Sequence, residues 1–267
     1  MPKMAGDEEY GVQRILYRRS NWEPWNVRFD LGGTYTSNVA LVPDGERDDF
    51  FLQSGIAVSY NPQIKGGWFG HVSLSDQIYR YDEADFFDFD LLRAEAGLMY
   101  AFPRQGTAYD PVLGDLLLYA NYVYYAVTEP WEWSERNFDN HSIAFGAVKT
   151  WRISQGNQFS LGLNGDLSLA ANRDEPQRNE YSAIAAYRLK LTSALETALV
   201  YRAAWYDYSE FGRDDFNQMV SLGLEYKVTD WFSVNAAVAG IFNNSDHRAF
   251  DYDVFHTGLS LTASVQW

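Results

Sequence analysis

The chain ends with the stretch Phe255-His256-Thr257-Gly258-Leu259-Ser260-Leu261-Thr262-Ala263-Ser264-Val265-Gln266-Trp267, which alternates strictly between two kinds of residue. Odd positions are apolar or small, and even positions are polar or glycine. Because successive side chains of a β-strand point to opposite faces, the pattern predicts one long strand with an apolar face and a wet face. Such a strand, ending on an aromatic residue, is typical of a bacterial outer-membrane β-barrel.

The composition agrees with such a barrel. Aromatic residues make up 17% of the 267 residues, with 9 Trp and 19 Tyr, and these side chains suit a membrane interface. The mean hydropathy is −0.35, and the sequence has no apolar run of about 18 residues, so we predict no membrane-spanning helix. A barrel hides half of each strand from lipid, which keeps its mean hydropathy low.

Charge and cysteine content exclude several functions. The chain has no cysteine, which excludes thiolate metal sites, disulfides and cysteine nucleophiles. Its formal net charge of −15 argues against nucleic acid as a partner, because phosphate binding needs a basic face. We expect no cofactor and no metal. The first ten residues lack a basic start and an apolar core, so an exported barrel is expected to be a form whose signal peptide was removed.

Residues 25–267 follow the same two-residue period in most segments, although the segment that begins at Trp68 is less regular and residues 116–126 are apolar on both faces. About 12 strand-like segments are separated by turn signals, which predicts an all-β fold: a single antiparallel transmembrane β-barrel. The cleanest segment alternates Phe159, Leu161 and Leu163 with small or polar residues. Lys149 breaks the pattern because it falls in phase with apolar neighbours. A bulge or a lysine that snorkels to the interface would explain it.

The connections alternate between two lengths, which predicts short periplasmic turns and longer acidic external loops. The short connections are residues 154–157, 192–194 and 229–230, and the long ones are residues 43–49, 81–90, 128–140, 171–180, 209–215 and 243–253. One roomy connection, residues 103–114, departs from this rhythm. Five tryptophans at strand ends next to the short turns predict a membrane-interface girdle: Trp25, Trp68, Trp151, Trp231 and Trp267. Both termini are therefore expected to be periplasmic.

The N-terminal residues 1–24 form a separate segment. They mix acidic and basic residues around Val12, Ile15 and Leu16, a spacing consistent with a short amphipathic helix. Such a segment could plug the barrel, lie at the periplasmic surface or bind an envelope protein partner. A disordered tail is the alternative.

The inward-facing positions hold charged residues that are candidates for the lining of a lumen: Arg28, Asp30, Arg93, Glu95, Asp166, Arg188, Glu196, Arg202 and Glu225. A barrel of about 12 strands has only a narrow lumen. Charges there must pair or contact water. Two interpretations remain open, a narrow polar channel and a salt-bridge network that fills the lumen.

The segment from Phe29 to Val39 and the Asp-Asp-Phe-Phe that opens the next strand carry a resemblance to a known group. A strand ending in Tyr-x-Ser-Asn-Val, followed by a loop and this opening, resembles the uncharacterised porin-like β-barrels of Gram-negative bacteria. The resemblance covers most of residues 25–267. It implies a barrel in the outer membrane, and it brings no catalytic residues.

The function expected from these patterns is passive passage of small polar solutes. Acidic loops such as Asp82-Glu83-Ala84-Asp85 would attract cations at the mouth, either as a solvated rim or as a site for divalent cations. The alternative is a non-conducting barrel that acts as a scaffold in an envelope complex. We expect no enzyme, since His141 and Ser142 fall on opposite faces of one strand. Expected partners are outer-membrane lipid, lipopolysaccharide and, through Trp267, the barrel-assembly machinery.

Overall fold

The computed structural model describes residues 23–102, 116–130, 136–154, 156–173, 176–208 and 212–267. Residues 1–22 lie outside this part, so the prediction for the segment 1–24 stays a prediction. In the described part, no helix is long and apolar enough to cross a membrane.

Long antiparallel strands make up most of the described chain. In chain order they are β1 Trp25–Thr36, β2 Asp49–Tyr60, β3 Gln63–Lys65, β4 Trp68–Tyr81, β5 Phe89–Ala101, β6 Leu116–Thr128, β7 Arg136–Ser154, β8 Asn157–Ala171, β9 Asn179–Lys190, β10 Leu195–Tyr208, β11 Arg213–Lys227, β12 Phe232–Ser245 and β13 Tyr252–Gln266. β3 is a three-residue strand within the turn between β2 and β4.

The strands close into a barrel because β1 pairs with both its neighbour in sequence and the last strand. Val27 lies opposite Val58 of β2 on one side and opposite Val265 of β13 on the other. Each of the remaining long strands pairs with the long strands next to it in the chain, so that β2 pairs directly with β4. The prediction of a single antiparallel barrel of about 12 strands is therefore confirmed, with β3 as an addition.

The two-residue period places apolar side chains on the outside of the barrel. On β11, Val220, Leu222 and Leu224 are 44–47% exposed, whereas Met219 and Ser221 between them are buried. The long strands carry large apolar residues on the outer wall, and the inner wall holds most of their charged and small polar residues. An exposed belt of this kind is stable only against lipid, since contiguous apolar patches are small on soluble proteins.

The two ends of the barrel differ in their connections. We call the end of the barrel where β1 begins, β13 ends and the short turns lie the turn end. The opposite end is the loop end. Several strands extend further towards the loop end than the sequence pattern predicts: β10 ends at Tyr208 and β11 begins at Arg213. The connection predicted at 209–215 is therefore only residues 209–212. Beyond the apolar belt the strands continue with polar outer residues, which the two-residue apolar pattern does not detect.

Lys149 lies on the outer wall near the turn end. It pairs with Leu116 and Leu161 in the ladders, and the bulges of β7 occur elsewhere, near His141 and Arg152. Its Nζ lies 5.8 Å from the ring centroid of Trp151. Lys149 is buried, with 9% of its surface exposed, and the regular pairing on both sides of it shows that no bulge at this position accounts for the break in the pattern.

Candidate functional site

The inner wall of the barrel is the candidate functional site. Acidic and basic side chains face the lumen from most strands and are close to balance in number. All nine charged residues that the sequence pattern assigns to the lumen occupy inner-wall positions. The structure pairs several of them with partners that the pattern does not identify.

Arg28 and Asp30 form a charge pair on a single strand, β1. The Arg28 Nε lies 2.6 Å from the Asp30 carboxylate, and the hydroxyl of Thr262 on β13 donates to the same carboxylate at 2.7 Å. Two residues apart on one strand, these side chains point to the same face, so the i, i+2 spacing brings them together. The pair is three-quarters buried yet borders the lumen.

Arg93 and Glu95 repeat this arrangement on β5. The Arg93 Nε lies 2.6 Å from Glu95 Oε1, and His71 of β4 places its Nε2 3.5 Å from Glu95 Oε2. His71 is in turn held by a 2.6 Å hydrogen bond between its Nδ1 and Asn61 Oδ1. Glu95 therefore links two basic groups on neighbouring strands across the inner wall.

Arg202 on β10 belongs to a larger cluster near the loop end. Glu180 of β9 bonds to Arg202 with one carboxylate oxygen and lies 3.4 Å from Arg178 with the other. The Arg178 guanidinium carbon lies 3.3 Å from the centroid of the Tyr206 ring, and Arg178 also donates to the Tyr208 hydroxyl at 2.7 Å. Cation–π contact and charged hydrogen bonds together offset the cost of burying these arginines.

The remaining predicted charges lie on the inner faces of β8, β9, β10 and β11: Asp166, Arg188, Glu196 and Glu225. Glu196 accepts a 2.9 Å bond from Lys227 of β11. Glu225 lies directly opposite Glu196 in the ladder between β10 and β11. Asp166 and Arg188 occupy inner positions of β8 and β9. Pairs with good geometry therefore account for much of the lumen charge.

Four of the partners are not among the lumen charges predicted from the sequence: His71, Arg178, Glu180 and Lys227. Arg178 and Glu180 fall in residues 171–180, which the pattern assigns to a loop. His71 lies in the least regular segment. The parity of the strand would have placed Lys227 on the inner wall, but nothing in the local sequence indicates that it reaches Glu196 on another strand.

The tryptophans assigned to the girdle all lie at the turn end of the barrel. Trp25, Trp68, Trp231 and Trp267 are 40–56% exposed. Trp25 stacks on Trp267 with ring centroids 6.4 Å apart, and the backbones of the two residues exchange hydrogen bonds of 3.1 and 3.2 Å. Trp151 stacks on Phe159 at 5.6 Å. A band of this kind marks one water–lipid interface.

Two groups of buried apolar side chains line the half of the lumen nearer the loop end, beside the charged cluster of Arg178, Glu180 and Arg202. One group of buried side chains lines β2, β4 and β5, and we call it the β2–β5 cluster: Phe51, Tyr79, Tyr81, Ala84 and Phe89, with Val39. A second group lines the opposite wall, and we call it the β9–β13 cluster: Ile184, Val200, Met219, Ile241 and Val254. The sequence analysis does not predict either cluster.

His141 and Ser142, which are neighbours in sequence, lie on opposite walls of β7. His141 lies on the outer wall, where its ring bonds to the Tyr122 hydroxyl, and the buried Ser142 faces inward. In the described residues no group of three or more His, Asp or Glu side chains could hold a metal ion.

The closed sheet, the apolar outer belt and the aromatic band define the class of protein: a β-barrel of the outer-membrane type. No protein-family model matches the chain, and no curated protein matches it in sequence. Solved structures do match. An outer membrane channel from Pseudomonas putida F1 is similar with a TM-score of 0.60 and 10% identity, over 93% of this chain and 98% of that one.

Two further solved structures show the same fold. The translocator domain of the autotransporter NalP from Neisseria meningitidis has a TM-score of 0.52 and 13% identity, over 97% of this chain and 94% of that one. The NanC porin has a TM-score of 0.52 and 9% identity, over 88% and 98%. The chain therefore has the fold of an outer-membrane β-barrel, and the expected porin-like architecture is confirmed. With its apolar belt, this fold assigns the chain to the outer membrane.

Proposed function

We propose that this barrel is an outer-membrane channel for passive passage of small polar solutes. The observation that carries the proposal is the inner wall of the barrel, where the pairs Arg28–Asp30 and Arg93–Glu95 border the lumen and serines of β4 lie beside the second pair. A barrel that served only to span the membrane would have no need of charged groups there, because partly buried charges are costly.

We further propose that the channel prefers cations. Because charges on the inner wall are close to balance, the preference comes from the loop end, where exposed acidic side chains outnumber basic ones. The exposed acids in the first two loops are Asp44, Glu46, Asp48, Asp82, Glu83 and Asp85, against the single base Arg47. A rim of one sign raises the local concentration of counter-ions and lowers that of ions of like charge.

Planar-bilayer recordings test both proposals. We expect discrete conducting steps whose reversal potential in a KCl gradient reports preference for K⁺. The variant Asp44→Asn/Glu46→Gln/Asp82→Asn/Asp85→Asn removes four rim charges and should lower the K⁺ preference while leaving the barrel folded. Asp230→Asn, an exposed acid at the turn end, is the matched control. An unchanged reversal potential in the fourfold variant would exclude the rim as the source of selectivity.

The second candidate function is a non-conducting scaffold in an envelope complex. The apolar packing of the loop-end half favours it, because side chains there fill space that a permanently open pore would leave to water. Purified protein that shows heat-modifiable migration on a detergent gel, the sign of a folded barrel, yet remains electrically silent in wild-type and loop-altered forms would support the scaffold over the channel.

We also propose partners for the outer surfaces. Lipid and lipopolysaccharide contact the apolar belt, and the barrel-assembly machinery binds the C-terminal strand through Trp267. Removing the Trp267 side chain (Trp267→Ala) should lower the amount of assembled barrel in outer membranes more than it lowers spontaneous folding into lipid vesicles. Equal losses in both assays would instead assign Trp267 to stability alone. The envelope partner expected for residues 1–24 remains a prediction from the sequence.

A further inference from the structure

The loop between β1 and β2 enters the lumen. Asn38 is fully buried and Val39 is 4% exposed, although both follow directly after a strand that ends at the mouth of the barrel. From Asp44 to Asp48 the same loop is exposed again. We call residues 37–42 the inward segment.

The inward segment contacts both apolar walls of the loop-end half. Val39 is part of the β2–β5 cluster, in which Phe51, Tyr79 and Tyr81 surround it. Leu41 packs against the β9–β13 cluster. Two side chains, two residues apart, thus contact clusters on opposite sides of β1, and the segment lies between the two clusters.

Hydrogen bonds hold the inward segment in place. The Asn38 side chain donates to the carbonyl oxygens of Val42 at 2.8 Å and Asp253 at 3.2 Å, and its Oδ1 accepts from the Val42 amide at 3.2 Å. Ser37 exchanges two bonds with Phe255, from its amide at 3.0 Å and to its hydroxyl at 2.9 Å. These bonds fasten the segment to the start of β13 and use both donors and one acceptor lone pair of the Asn38 side chain.

The backbone of Leu41 carries strain. Its φ is 50°, the left-handed region that residues with a Cβ rarely adopt. Strain of this kind costs about 1 kcal/mol or more and persists where the surroundings impose it. Here the Asn38 bonds and the contacts of Leu41 impose it. The buried position of the segment therefore depends on a balance between the backbone strain at Leu41 and the bonds and contacts that hold the segment. A single substitution can shift this balance.

A small cavity lies beside the inward segment. A cavity of about 30 Å³ lies between Thr36, Leu41, Phe51, Tyr252 and His256. This volume holds one or two water molecules and no organic solute. Narrow apolar constrictions also exclude ions, because water leaves them more readily than it leaves a polar passage.

We propose that the inward segment is a gate: seated between the two apolar clusters, it closes the loop-end half of the lumen, and its release opens the channel. The inference rests on the proposed channel function and adds its regulation. Ions then pass the charged pairs Arg28–Asp30 and Arg93–Glu95 and cross the barrel only when Val39 and Leu41 leave their clusters.

Leu41→Asn tests the gate with little disturbance of the backbone. Asparagine tolerates the left-handed conformation better than leucine, so the segment can keep its path while the apolar layer gains a polar side chain. Asn38→Ala tests the fastening, since it removes three hydrogen bonds. Both variants should raise the time-averaged conductance severalfold over wild type, and Asp230→Asn at the turn end should not raise it.

Thiol labelling gives an independent measure, because the chain has no native cysteine. In Val39→Cys the single thiol should react with a charged methanethiosulfonate reagent at least about tenfold more slowly than in Asp44→Cys, since reaction requires opening. Adding Asn38→Ala to Val39→Cys should remove most of the difference. Equal labelling rates at positions 39 and 44 in the wild-type background would overturn the closed seating.

The outcomes separate the gate from the channel function. Conducting steps of equal size and duration in wild type, Leu41→Asn and Asn38→Ala would overturn the gate and leave the channel standing. Silence in all three, from barrels that pass the gel assay, would overturn the channel function itself. Slow labelling of Val39→Cys together with raised conductance in the two loop variants is the result that supports both.

Discussion

The outer and inner walls of this barrel are built from the same strands, yet they follow opposite rules. On β11 the outward Leu222 is 47% exposed and the inward Ser221 is 8% exposed. On β5 the outward Leu98 is exposed, while Arg93 and Glu95 turn inward and pair. In water this arrangement would be inverted. The difference shows that lipid is the solvent of the outer wall, while the inner wall is a polar surface enclosed by its own backbone.

The largest expected effect comes from placing a charge on the outer wall. Leu222→Arg, in the middle of the exposed apolar run of β11, should lower the free energy of unfolding by about 2–4 kcal/mol, because a lipid-facing charge at this depth cannot reach water. Urea unfolding in lipid vesicles measures it. Leu222→Ala is the size control and should cost much less. A loss for Leu222→Arg no greater than for Leu222→Ala would contradict lipid contact at this wall.

A smaller effect is expected from removing a charge on the inner wall. Glu95→Gln leaves Arg93 and His71 without their carboxylate and should cost about 1–3 kcal/mol of unfolding free energy, the cost of an unpaired polar group that keeps some access to water. The double variant Arg93→Gln/Glu95→Gln should recover part of this loss. If the double variant is as unstable as the sum of the two single variants, the pair has no coupling and the inner wall is already fully hydrated.

The smallest effect distinguishes two glycines, one on each wall. A Cβ added at Gly165 on the outer wall would lie 2.5 Å from the Phe145 ring, whereas one at Gly223 on the inner wall meets nothing closer than 4.0 Å. Gly165→Ala should cost about 0.5–1.5 kcal/mol, since the ring must leave its rotamer. Gly223→Ala should change stability by about 0.5 kcal/mol or less. Equal effects would mean that Phe145 does not cover Gly165.

Much of the fold is predictable because one local rule governs it. The alternation from Phe255 to Trp267 and its equivalents along the chain assign most of the strands to their two faces. The tryptophans beside the short turns mark one rim. Even Lys149, which breaks the pattern, has the phase that its outward position requires. Strand ends are less predictable, because β10 and β11 continue beyond the apolar belt. There the outer face contacts water instead of lipid, so apolar and polar residues no longer alternate.

The site is less predictable than the fold. The two-residue alternation places Glu196 and Arg202 on the inner wall. Their partners Lys227 and Glu180 lie on other strands, and the register of strand pairing decides which residues meet. The inward segment shows the same limit. Residues 37–42 contain the apolar run Val39–Val42, but the local sequence does not say what covers it, and only the closed barrel brings Val39 and Leu41 against clusters from β2 to β13.

The sequence by itself determined that this chain is a barrel with lipid outside and polar groups inside, because a strand's two faces follow from alternation alone. The tertiary structure decided which lumen charges meet, that two apolar clusters form in the loop-end half and that residues 37–42 lie between them. These features depend on contacts between strands far apart in the chain. Such contacts arise from closure and register, which no local pattern specifies.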